Sequence, residues 1–170
     1  QGFLGRILAR RLATALRVPP DPRHWGDDDT LVFLQAEGDD LPGDLVVGDE
    51  PLHRVLVGAL AAGTEMAMPE AERRARYPEL AVRAMAGERP GSSVGGKQPK
   101  FLAVVRRDDG AVQPVLVKFS PPMETPVGRA WADLLAAESH ALAVLAEHGL
   151  ATPGATTLDA GGRRFLEVIR

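Results

Sequence analysis

Cysteine is absent from the 170-residue chain, which excludes a disulfide framework, thiolate metal sites and a cysteine nucleophile. No apolar run approaches the roughly 20 residues that cross a bilayer, since arginine and glycine interrupt even the Leu- and Ala-rich opening segment. A soluble, cytoplasmic protein with no membrane partner is therefore expected. Basic charge is not in excess either. A net charge of −3 and a pI near 5.8 argue against a dominant nucleic-acid surface, although Arg6, Arg10 and Arg11 form a local basic patch. His24 and His53 are isolated, and Asp27-Asp28-Asp29 has no spaced partner ligands, so the acidic run reads as a turn or helix cap and no metal site is expected. No secretory signal precedes Gln1, and Arg170 falls inside an apolar alternating run; a fragment cut at both ends is expected.

What is present suffices for a core, at 45% hydrophobic composition, in one domain or two small subdomains. Leu4, Leu8, Leu12 and Leu16 recur every four residues and predict an amphipathic helix over residues 2–17, stopped by Pro19 and Pro20. The β-rich stretch from Thr30 to Gln35 and the shorter one from Asp44 to Val47 predict two strands. Residues 51–62 and 69–86 read as helices, with Pro69 and Pro78 each suited to a first turn; Trp25 and Tyr77 read as packing residues. After Gly87 the texture changes. Arg107-Asp108-Asp109-Gly110 predicts a hairpin between strands at 101–105 and 112–119. A helix at 131–148 closed by Gly149 follows, and then two strands at 155–158 and 163–169. The expected fold class is α+β: a helical and β subdomain over 1–87, then an N-lobe over 88–170 built from a β-sheet and one prominent helix.

Gly91-Ser92-Ser93-Val94-Gly95-Gly96-Lys97 fits the first seven positions of a Walker A phosphate loop. Gln98 then stands where Ser or Thr would ligate magnesium, and Pro99 with a β-rich run replaces the helix whose N-terminus holds phosphates. A different order fits: a Gly/Ser-rich loop, a hairpin with a lysine on its second strand, and a glutamate on the next helix. Such a set supplies a backbone that can approach phosphates, a cation for their charge and an anion to hold the cation. Gly95 and Gly96 give the approach, Lys118 the cation and Glu138 the anion. Alternation puts Lys118 on the face opposite Val117 and Phe119, where it meets either ligand or solvent. Glu138 shares a helix side with Leu134, Leu135 and Leu142; it either meets a cation there or snorkels to water.

The run Ser92 to Lys100 resembles the phosphate loop of HipA-like toxin serine/threonine kinases, and Val115-Leu116-Val117-Lys118-Phe119 their ATP-lysine strand. Ala137-Glu138-Ser139-His140 through Pro153 is similar to the following helix and turn, and Phe165 to Arg170 to the strand that leads into an Arg-Phe-Asp-Arg segment. Leu41-Pro42-Gly43-Asp44-Leu45 is similar to the YjjJ-like (HipH-like) branch, in which a DNA-binding segment often precedes the kinase. The resemblance implies ATP and Mg²⁺ as cofactors, and ATP contacts from Ser92, Ser93, Val94, Gly95, Gly96 and Lys118. Lys118 and Glu138 take catalytic roles, and Ser93, with Ser92 as the adjacent alternative, is the autophosphorylated serine. The implied activity is ATP-dependent phosphorylation of a protein Ser or Thr in a bacterial toxin–antitoxin system, with an antitoxin or DNA-binding segment as partner outside this stretch. The resemblance implies a catalytic lobe beyond residue 170, so the fragment alone is expected to be inactive. Two alternatives remain: a non-catalytic scaffold that keeps a kinase-like lobe to bind a partner, and a P-loop NTPase, weakened by Gln98 and Pro99.

Overall fold

The computed structural model describes residues 3–39, 41, 45–61, 67–87 and 98–170. Helix α1 (Phe3–Leu16), α2 (Asp27–Glu37) and α3 (Asp49–Ala61) come first, followed by a two-residue strand β1 (Met68–Pro69) and α4 (Arg73–Met85). Then come the hairpin β2 (Lys100–Arg106) and β3 (Val112–Phe119), the long α5 (Pro126–Glu147), and a second hairpin, β4 (Ala155–Ala160) and β5 (Arg163–Ile169). The strands form one sheet in the order β1-β2-β3-β5-β4, with β1 parallel to β2 and every other pair antiparallel. The architecture is α+β, as the sequence predicts. Among the described residues, no helix is long and apolar enough to cross a membrane.

The sheet's two faces carry different helices. Alternation along β2, β3 and β5 turns Phe101, Val105, Val115, Val117, Phe119 and Phe165 to one face, where they form a buried cluster with Tyr77, Ala81 and Ala84 of α4. The helical residues sit four and three apart and so line one stripe. Tyr77, Phe101, Phe119 and Phe165 stack with ring centroids 5.4 to 6.5 Å apart, each fully buried ring contributing about 1.5–3 kcal/mol. The other face meets α5, which packs on β5, β4 and β3 and buries Ala132 and Leu135. A separate small cluster joins Leu8 and Ala9 of α1 to Phe33 of α2.

The strand expected from Thr30 to Gln35 is helical and belongs to α2. Its β-branched and aromatic residues suit a strand, but Asp27, Asp28 and Asp29 occupy the first turn, where negative charge favours a helix. Asp29 also accepts the Gly26 N–H, at 3.0 Å. Phe33 then packs on Trp25 at 4.9 Å, so tertiary contact settles the choice. In the second expected strand, Asp44 lies outside the described residues and Val47 makes one isolated bridge to Gly38. Pro78 does not open a helix; it lies inside α4, whose packing through Tyr77, Ala81 and Ala84 outweighs the roughly 3 kcal/mol that an interior proline costs.

Candidate functional site

Helix α5 is built to hold its position. Thr125 caps it by accepting the Gly128 N–H at 2.9 Å, and Pro126 opens it. At the other end Gly149, with φ +78°, lets its own N–H reach Ala146 and the Leu150 N–H reach Leu145, both at 3.0 Å. A side chain at Gly128 would place its Cβ 1.8 Å from the Pro122 carbonyl oxygen, so only glycine allows this turn to lie against the preceding loop.

Between these ends α5 presents Glu138 to β3. Lys118 alternates away from the buried Val117 and Phe119 and donates a short hydrogen bond to Glu138 Oε1. The two side chains are 20% and 35% exposed, so the pair stays reachable. Lys100 lies directly opposite Lys118 in the β2–β3 register, hence on the same face. Two cations side by side suit an anion with several oxygens, and this is the charge a nucleotide's phosphates bring. Lys118, held by Glu138, and Lys100 beside it thus present positive charge that an anion of this kind could meet. Among the described residues there is no group of three or more His, Asp or Glu able to hold a metal ion.

Ser92, Ser93, Val94, Gly95 and Gly96 lie outside the described residues. Where the chain is described again, Gln98 and Pro99 lead straight into β2 at Lys100, and the Pro99 carbonyl accepts the Phe119 N–H at 3.2 Å. A strand thus stands where a Walker A loop would open its helix.

Sequence reasoning missed a second charged cluster, on the opposite face. Glu167 of β5 is 3% exposed and accepts three donors: the Tyr77 hydroxyl, Arg73 Nη1 at 3.1 Å and Arg107 Nη2 at 2.6 Å. Glu70 binds the same two arginines, at 2.6 and 3.3 Å. Burial alone would raise the Glu167 pKa; the hydrogen bonds from Tyr77, Arg107 and Arg73 outweigh it and hold the carboxyl below its ordinary range. Burial and the adjacent carboxylate push the Tyr77 phenol well above its usual value. The readable signal was a lone glutamate at an inward position of the strand Phe165-Leu166-Glu167-Val168-Ile169. Arg74 and Arg164, which bind the Asp159 carbonyl and carboxylate respectively, extend the polar contacts between α4 and the second hairpin.

Residues 1–56 match a family model described as the YjjJ-like toxin, middle domain. Over 171 aligned residues the chain is 37% identical to Toxin YjjJ of Escherichia coli strain K12, an alignment that takes in 100% of this chain and 38% of that protein. The chain thus spans less than two fifths of this curated relative. No solved structure matches it.

Proposed function

We propose that this chain is the nucleotide-gripping part of an ATP-dependent protein serine/threonine kinase acting as a toxin in a toxin–antitoxin system. One observation carries the reading: Lys118 on the central strand is held by Glu138 of α5 on the sheet face away from the α4 core. In phosphoryl transfer a fixed cation neutralises the phosphates and orients them, while flexible glycine backbone covers them. Lys118 and Lys100 supply the cations, and the glycines and serines of residues 91–96 supply the cover. ATP brings the transferable phosphoryl group, and Mg²⁺ arrives with it. The toxin setting is supported by the family match and by the relative's name. The reading also calls for a protein substrate, an antitoxin or DNA-binding partner and a catalytic base, none of them among the residues named here.

Calorimetric titration of the chain with Mg·ATP tests the reading. Wild type is expected to bind and Lys118→Met to lose binding, and neither is expected to transfer phosphate to a protein unaided. Equal binding by the two would remove the grip from the proposal. Transfer by pure wild-type chain that is lost in Lys118→Met would instead show that these residues suffice for catalysis.

A further inference from the structure

Glu167 and Lys118 occupy opposite faces of the sheet but neighbouring rungs. In the β3–β5 ladder Val117 faces Glu167, and Lys118 faces Leu166 one residue along. Leu166 is fully buried on the face that receives α5, the helix that carries Glu138. The height of β5 against β3 therefore sets how Lys118 and Glu138 meet. The β3–β5 ladder sets that height, and from behind Glu167 adds a second tie, its carboxylate joining β5 to Arg73 and Tyr77 in the first half of α4 and to Arg107 just after β2. Arg107 is further held by Gln113 at 2.7 Å, and the Asp108 N–H reaches Glu70 at 3.3 Å. Two carboxylates and two guanidiniums make the cluster charge-balanced. Buried ion pairs add little stability over well-packed apolar residues, but they are strict about geometry, since one misplaced partner leaves a charge uncompensated. This strict arrangement lies one rung from Lys118.

We propose that Glu167 is a positioning residue: through β5 it holds Lys118 in the geometry that meets Glu138 and an incoming phosphate. The inference deepens the nucleotide-binding reading and rests on it for its purpose, but its geometric part can be measured without nucleotide. The chain contains three lysines, Lys97, Lys100 and Lys118, so a spectrum of lysine-labelled protein has three side-chain signals, and the one lost in Lys118→Met is assigned. Glu138→Gln defines where the Lys118 signal lies when the pair is broken. Glu167→Gln, nearly the same shape but uncharged, is expected to move the Lys118 signal toward that position. Mg·ATP affinity should fall within the roughly 5- to 150-fold range typical of coupled sites. Leu8→Ala, which opens a cavity in the α1–α2 cluster, controls for mere destabilisation and should leave the signal in place. Arg107→Met, which removes one of the three donors to Glu167 and leaves its carboxylate in place, should act in the same direction as Glu167→Gln and decides the matter if that variant does not fold. A Lys118 signal unmoved in a folded Glu167→Gln or Arg107→Met protein overturns the proposal, as does an equal movement in Leu8→Ala. If wild-type signals ignore Mg·ATP, the nucleotide reading fails while the comparison without nucleotide still judges the positioning.

Discussion

Lys100 and Lys118 face each other directly across the β2–β3 ladder, and Lys118 is also held by Glu138. A nucleotide whose phosphates lie over this face would bind the folded chain and not the unfolded one. ATP at about 100 times its dissociation constant should therefore stabilise the chain by about 2.7 kcal/mol, a rise in melting temperature of roughly 5–10 °C for a chain of this size. Thermal melts with and without Mg·ATP should show this rise in wild type, less of it in Lys100→Gln and none in Lys118→Met.

Glu138→Gln separates stability from function. The pair with Lys118 is partly exposed, and such pairs contribute about 0–1 kcal/mol, so melting should barely change. Mg·ATP affinity should fall more, because an unheld lysine orients phosphates poorly. A large loss of stability with normal affinity would make the pair a structural clamp only.

Acid should reveal the buried cluster. The folded state depresses the Glu167 pKa below its ordinary 4.5, so its stabilising contribution is present above that value and is lost as pH falls through the lower, folded one. At neutral pH, Glu167→Gln should cost about 3–5 kcal/mol, since it leaves two guanidiniums short of a buried partner. Denaturant titrations from pH 7 down to about 2 should show the gap between wild type and variant closing below the ordinary carboxylate range. A gap independent of pH would mean that shape, and not charge, is what Glu167 supplies.

Gly128→Ala should be poorly tolerated, because its Cβ would fall 1.8 Å from the Pro122 carbonyl oxygen. Overpacking of this kind costs about 1–3 kcal/mol, and here it would also shift the first turn of the helix carrying Glu138. Melting temperature and Mg·ATP affinity should fall together, and a variant with both unchanged would show that the loop before α5 yields freely.

Ser93→Asp tests a switch within the Gly/Ser-rich stretch of residues 91–97. A phosphoserine adds about −1.5 to −2 charges where the phosphates of ATP would bind, so Ser93→Asp should weaken Mg·ATP binding while Ser93→Ala retains it. Ser92→Ala and Ser92→Asp decide between the neighbouring serines. Equal affinity in wild type and both aspartate variants would end the idea.

The lobe was largely legible in the sequence because its signals are local. The period-two apolar runs around Phe101 and Val117, the turn at Asp109-Gly110 and the Leu-rich period of α5 each mark an element without reference to the rest. For Lys118 and Glu138, alternation and helix spacing offered a pairing but left solvent open to each, and the order of loop, strand lysine and helix glutamate favoured the pair that the fold makes. Thr30 to Gln35 was misread because its propensity favours a strand while the Asp29 cap and the Phe33–Trp25 contact favour a helix, and a contact between elements leaves little trace in a short window. The Glu167 cluster stayed hidden for the same reason, since its members come from three separated stretches and only folding brings Tyr77 to Glu167, 90 residues away.

The segment that leaves β3 is sewn to the second hairpin. Ser120 donates its N–H to Arg164 and Met123 to Gly162, at 2.9 and 2.8 Å, and Arg163 Nη1 returns to the Ser120 carbonyl at 2.7 Å. The buried Ser120 hydroxyl accepts the Arg164 N–H and donates to Pro121. The lysine's strand and the root of the glutamate's helix are thus parts of one rigid frame. Swinging α5 outward about its first turn, as a means of turning the site off, would have to unpick these stitches together.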